Sequence, residues 1–312
     1  MDYVIAVDLG GTQIRAALVS ASGTILAHER TETLVDAGPY AVIGRILALM
    51  AQVHGFLPAD GQLLGAGVGA PGPLDPATGI IYSPPNLPGW EVLPLRDLLA
   101  QHVDFPVALG NDANLAALAE WRFGGGQGTR HLVYVTISTG IGGGVIEDGR
   151  LLLGRMGAAA ELGFLILDAD HGTIWEDLAS GTALARAAAK ALPDHPLSLL
   201  HQLATPATLT AAHIAEAAAL GDALAGALMA REAHILGMGF ASILHIFSPE
   251  IILVGGGVVL HNPDLLARAR EVAYAHVKVP LYREVPIELA RLGERAGVLG
   301  AAALALSVFG AP

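Results

Sequence analysis

Residues 4–28, VIAVDLGGTQIRAALVSASGTILAH, and residues 132–154, LVYVTISTGIGGGVIEDGRLLLG, decide the fold between them, because the second stretch repeats the plan of the first. In the first, the apolar run VIAVD reaches the turn LGGT, a second apolar run IRAALV follows, and the turn SASG leads into TILAH. Aliphatic and β-branched runs bounded by glycine and serine read as strand, glycine turn, strand, turn, strand. The second stretch does the same: a buried-type run enters STGIGGG, resumes as GVI, turns at EDG and resumes again. A duplicated hairpin with glycines at its first turn implies two phosphate-facing loops directed at one another across a cleft.

Working outward, Tyr40 to Val53 carries helical periodicity, and LGAGVGAPGPLD (64–75) reads as a strand entering a Gly/Pro loop. SPPNLPGW (83–90) is irregular, since proline cannot donate to a ladder. VALGNDANLAALAEW (107–121) is a strand passing into a helix, the Ala-rich stretches 182–192 and 211–247 are helices, and SPEIILVGGGVV (248–259) is a buried strand ending in a glycine turn. LGERAGVLGAAALALSVF (292–309) is a closing turn and helix. Strands alternating with long helices make the class α/β with a partly parallel sheet. At 312 residues two lobes are expected.

Composition narrows the function. The chain is 53% hydrophobic and 15% charged, a globular balance. Its formal net charge of −12 opposes a polyanionic partner, so no nucleic-acid role is expected. The first residues lack a signal-peptide pattern, and the longest uncharged apolar stretches are broken by glycines or fall well short of about 18 residues, so no membrane association and a cytoplasmic location are expected. The absence of cysteine excludes thiolate catalysis and cysteine-ligated zinc.

The loop Asp8, Gly10, Gly11 and Thr12 offers backbone N–H groups and a hydroxyl to a phosphate, although a tight hairpin turn explains it equally well in isolation. Ser138–Gly144 offers two hydroxyls and four glycines, more backbone access than a turn needs. A P-loop is excluded, because the only lysines, Lys190 and Lys278, do not follow glycine. A Rossmann fingerprint fits poorly, since both glycine loops run on into β-like segments. Asn111 and Asp112 stand at a strand-to-helix junction, where α/β folds place ligand-binding residues and where a helix cap is equally natural. Glu161 and Glu176 lie near apolar stretches and by themselves read as ordinary exposed carboxylates.

The motifs VDLGGTQIRAAL, GVGAPGPLD, PPNLPGWE, GNDANLAALAE, STGIGGGVI, AAAELG, LASGTALA, PEIILVGGGV and LGERAGVLGAAALA, in that order from Val4 to Leu306, resemble the ROK family, whose kinases include bacterial glucokinases. The resemblance implies the two-domain, duplicated actin-like ATPase fold of hexokinases (ribonuclease H-like halves) with an interdomain cleft. The expected N-terminal lobe is residues 1–117 plus 295–312, and the C-terminal lobe is residues 118–294. It implies that Gly10, Gly11, Thr12 and Gln13, together with Thr139, Gly140, Gly142 and Gly143, hold the ATP phosphates. The resemblance further implies that Gly256 lies near the nucleoside and that Asp8 orients Mg2+ through water. Gly72, Asn86, Asn111, Asp112, Glu161 and Glu176 match the sugar-binding positions, with Asp112 as catalytic base. The implied reaction is ATP-dependent phosphorylation of a hexose, glucose at its 6-hydroxyl first, with N-acetylmannosamine, N-acetylglucosamine, fructose or a cyclitol as alternatives. A homodimer is implied as well.

Departures from the family pattern bear on this. Gln13 stands where a lysine is usual, and Phe164 where a histidine contacts the anomeric end of the sugar and ligates zinc. The cysteine cluster is missing and the segment GFLILDADHGTIW (163–175) is short, so no structural zinc is expected, and His171 reads as a surface residue. The family also contains sugar-responsive repressors carrying an N-terminal helix-turn-helix. Here the first strand is expected from about Tyr3, which leaves a non-catalytic sugar-sensing protein as the alternative of another class.

Overall fold

The structure is a computed structural model that describes residues 1–310. Its first sheet is built from β1 (Asp2–Leu9), β2 (Gln13–Ser20), β3 (Ile25–Glu32), β4 (Gln62–Ala70) and β5 (Val107–Asn111), in the order β3-β2-β1-β4-β5. The three N-terminal strands pair antiparallel, and β1–β4 and β4–β5 pair parallel. Sequence and position agree: β1 is buried through Tyr3–Val7 as a central strand must be, whereas edge strand β3 alternates between half-buried and exposed residues.

The second sheet comprises β6 (Leu132–Ile137), β7 (Ile141–Glu147), β8 (Arg150–Leu151), β9 (Ile251–Gly255) and β10 (Ile287–Leu289), in the order β8-β7-β6-β9-β10. β8 pairs antiparallel with β7, while β9 runs parallel to both β6 and β10. The two orders are the same when each sheet is numbered from its own first strand. The duplication read from the glycine hairpins therefore extends to the parallel partners that no hairpin could reveal.

Helix α1 (Pro39–His54) starts with proline at its first position and buries Val42, Ile43, Ile46, Leu49, Met50 and Val53, one face at helical spacing. Helix α2 (Asp112–Phe123) follows β5 without a linker. The C-terminal helix Ala296–Phe309 lies against this layer at glycine contacts. A methyl group on Gly67 would collide with the Ala301 carbonyl oxygen, and one on Gly300 with the Leu115 backbone. The Ala-rich run 211–247 proves to be two helices, Ala211–Ala219 and Ala223–Phe247. Gly221 takes a φ of 86°, and Asp222 caps the second helix by accepting from Ala225 N at 2.8 Å, so the alanine pattern continues across a real break.

Contacts divide the chain into two compact units, residues 1–128 with 144–160 and 294–312, and residues 129–143 with 161–293. The first has an aliphatic core that includes Ile5, Val7, Ile46, Val68, Trp90 and Leu109. The second has a helical core around Leu184, Leu192, Leu200, Ile214 and Leu228.

Candidate active site

In the first unit, β1 ends at the turn carrying Gly10 and Gly11. Gly10 N donates to Gln13 O at 2.9 Å, and Thr33 locks the turn from the side, its hydroxyl donating to Gly10 O at 2.6 Å. A Cβ on Gly11 would stand 3.1 Å from the Asn86 carbonyl, so the structure brings Asn86 and loop one together. Thr12 and Asn86 are exposed and Gln13 half-buried. Asp8, the penultimate residue of β1, has its side chain only 19% exposed and Arg15 Nη1 3.7 Å away. Burial raises its carboxyl above the usual range, partly offset by the Arg15 charge. A methyl on Gly297 would collide with this carboxylate, which explains a glycine in the first turn of the C-terminal helix.

The strand-to-helix junction separates the roles of its two polar residues. Asn111 is the cap: its Oδ1 accepts from Ala113 N at 3.0 Å and Asn114 N at 3.2 Å, and its Nδ2 lies against Gly72, 3.0 Å from where a Cβ would be. Asp112 is the first helical residue, exposed, with Oδ1 accepting from Ala113 N at 2.7 Å. Gly72, Asn111 and Asp112 thus form one group, with a cis Gly72–Pro73 bond turning the loop beside them.

In the second unit, β6 leads into the turn Ser138–Gly140, closed by Ser138 N donating to Gly140 O at 2.9 Å. Thr139 is exposed at its tip; Gly142 and Gly143 belong to β7. Glu176 sits at the start of helix α3 (Trp175–Ala179), and its Oε2 accepts from Ile141 N at 2.8 Å. It is half-buried, so its reading as an ordinary exposed carboxylate fails: it is bonded to the glycine loop. Glu161 is exposed as a residue, yet partial loss of solvent around its carboxyl, and then the charge of Glu176, raise its pKa. Gly256, at φ 87°, has the Ile137 backbone where a side chain would stand, its nitrogen 2.6 Å from the Cβ position. Helix α4 (Gly181–Ala191) docks on the same loop through Gly181 N donating to Ser138 O at 2.7 Å.

These contacts make Gly140 a sensitive position, because any Cβ there collides with the Glu176 carboxylate. Gly140→Ala is expected to break the Ile141–Glu176 bond and lower kcat/KM about 10- to 100-fold, the cost of displacing a positioned group by an ångström or less. Steady-state kinetics beside a thermal melt check it. A loss of folded protein that matches the loss of activity would contradict a local effect.

A cavity of about 490 Å³ lies wholly within this unit, with Ser138 and Thr139 at one side, and Thr182, Thr210, His261 and Asn262 among its walls. Sequence reading missed these last four. The available signals were SGT opening a helix and GGG followed by a helical turn. Phe164 is 59% exposed. His171, exposed, bonds Asp168 Oδ2 through Nδ1 at 2.9 Å, and Ile166–Asp168 pairs with Thr173–Ile174, so the short segment is a hairpin shaped by its own bonds. Among the described residues no group of three His, Cys, Asp or Glu is placed to hold a metal ion, and no helix is long and apolar enough to cross a membrane.

A paired set of identical sheet orders, each with a glycine turn after its first strand, defines an actin-like ATPase fold. Residues 4–308 match the ROK family model, and the chain belongs to the ROK family. It is 37% identical over 310 residues to a glucokinase of Thermotoga maritima, covering 96% of both chains. Among solved structures it resembles the ROK hexokinase of Thermus thermophilus (TM-score 0.84, 33% identity, covering 98% of this chain and 99% of that one). It also resembles a ROK family glucokinase of Streptomyces griseus in complex with glucose and AMPPNP (TM-score 0.81, 33% identity, the same coverage).

Proposed function

We propose that this protein is a sugar kinase that transfers the γ-phosphoryl group of ATP to the 6-hydroxyl of a hexose, with glucose the first substrate. The observation that carries the reading is the Glu176 carboxylate: it grips the amide of Ile141 on the second glycine loop and is charge-coupled to Glu161. Hydroxyl acceptors and phosphate-facing amides are thereby built as one piece. The likeness to a glucokinase and to a structure holding glucose and AMPPNP supports the choice of sugar and donor.

A sugar hydroxyl is too weakly acidic to attack unaided, so a carboxylate within hydrogen-bond reach must take its proton, and Asp112 is assigned that role. Gly72, Asn86, Asn111, Glu161 and Glu176 would hold the hydroxyls, pairing donors with acceptors. The amides of Gly10–Gln13 and of Thr139–Gly143 would hold the phosphates, with Gly256 bordering the nucleoside. Asp8 suits a hydrated Mg2+, because its carboxyl has lost much of its solvation and the Arg15 guanidinium, 3.7 Å away, offsets that only in part. When bound, the ion supplies neutralisation of phosphate charge. Residues 1–117 with 295–312 and residues 118–294 would act as the two lobes, in a cytoplasmic homodimer.

A sugar panel, read by coupled ADP release with ATP and by sugar-phosphate formation with polyphosphate, tests the reading. Turnover of glucose with ATP is expected to exceed that of the N-acetylated hexosamines by at least about 10-fold in kcat/KM. No turnover with any sugar would sink the kinase assignment in favour of a sugar sensor.

A further inference from the structure

The 490 Å³ cavity has two side chains on one stretch of wall, His261 and Asn262, immediately after the short helix Gly257–Leu260. Both are tied back to that helix. His261 Nδ1 lies 2.8 Å from Gly257 O, and a carbonyl oxygen can only accept, so Nδ1 carries the proton and Nε2 of the neutral ring remains an acceptor. Asn262 Nδ2 donates to Val258 O at 2.8 Å, which fixes the amide's orientation for the same reason. Oδ1 is left as an acceptor, and the second N–H of Nδ2 as a donor. Much of the remaining wall is aliphatic, with Ala185, Leu209, Ala212 and Val258, a lining that suits a flat ring rather than a polar head.

We infer that His261 and Asn262 read the 6-amino group of the nucleotide base, so that the site takes 6-amino purine nucleotides and rejects 6-keto ones. The inference rests on the kinase reading, which makes this cavity, next to Thr139 of the glycine loop, the nucleoside pocket. Adenine presents a donor, its 6-amino group, beside the acceptor N7, and an amide with one acceptor and one donor free matches that pair. The His261 Nε2 acceptor matches the second amino hydrogen. A 6-keto purine puts an oxygen in that place, setting lone pairs against lone pairs where the base would cover the two acceptors.

Calorimetric titration of the protein with MgADP and MgIDP isolates the amino-to-keto change. ADP is expected to bind about 10- to 100-fold more tightly than IDP, and the double variant His261→Ala/Asn262→Ala to bring the two within about threefold. Retention of the far-ultraviolet spectrum and melting point of the parent shows that the variant is folded. Equal affinities in the parent, an undiminished ratio in the folded variant, or no binding of either nucleotide would overturn the inference. ADP release with sugar in the same preparations keeps the two questions apart. Turnover with ATP beside equal affinities sinks base reading alone, whereas a strong ADP preference without turnover upholds base reading and sinks the kinase assignment.

Discussion

Replacing Asp112 by asparagine is expected to lower kcat by about 10²- to 10⁴-fold while sugar affinity stays within about threefold, the span that a general base contributes. The substitution is nearly isosteric and leaves the helix cap in place. Asn111, not Asp112, provides the cap of helix α2, through two hydrogen bonds to its first amides. The bond from Ala113 N to Asp112 Oδ1 can be made by an amide oxygen as well. The substitution gives up the attraction of a negative charge to the helix N-terminus, about 0.3–1 kcal/mol. A fall in kcat without a matching fall in melting temperature or in sugar binding is the result expected from kinetics and calorimetry. An Asn variant with parental turnover would remove Asp112 from the mechanism.

The second large effect concerns stability. Glu232, on the helix Ala223–Phe247, is fully buried, and among the described residues neither carboxyl oxygen has a hydrogen-bond partner. Burial pushes its pKa up to about 8, against a small opposing pull from Arg231. The folded state therefore holds a proton that the unfolded chain releases near the ordinary glutamate value. The stability tied to that proton is complete below about pH 4.5 and is lost as pH rises to about 8. Glu232→Gln, which cannot ionise, is expected to match or slightly trail the parent at pH 5 and to exceed it by ~3 kcal/mol at pH 8. Denaturant titrations at the two pH values measure the difference; parallel pH profiles for the two proteins would refute it. The site has a stake in this helix, since Arg231 donates to Leu178 O at 3.3 Å and the Trp175 ring lies on Gly239, and Trp175 and Leu178 flank Glu176.

The hairpins at Gly10–Thr12 and Ser138–Gly140 were legible in the sequence because strand, turn and strand are local. Short apolar runs and glycine placement carry the whole signal. The parallel neighbours β4, β5 and β9 were legible as strands but not in their pairing, which is decided by packing across long loops, and the three-residue strand β10 was not read at all. The break at Gly221–Asp222 was overlooked although its residues are those of a turn and a cap, because alanine favours helix on both sides of it. For the site, loop chemistry identified the glycines, but the bond that converts Glu176 from a surface carboxylate into a loop anchor spans 35 residues. No spacing rule reaches across that distance. His261 and Asn262 were invisible for a different reason: their bonds are local, but which donor is consumed depends on the register of one short helical turn.

That anchor has a thermodynamic corollary. On the proposed assignment Glu176 touches the sugar with the same carboxylate that restrains the Ile141 amide beside the phosphates, so a change in either environment is felt by one charge. The affinities for sugar and nucleotide are then not independent quantities, and linkage requires the factor by which one ligand alters the other to be identical in both directions.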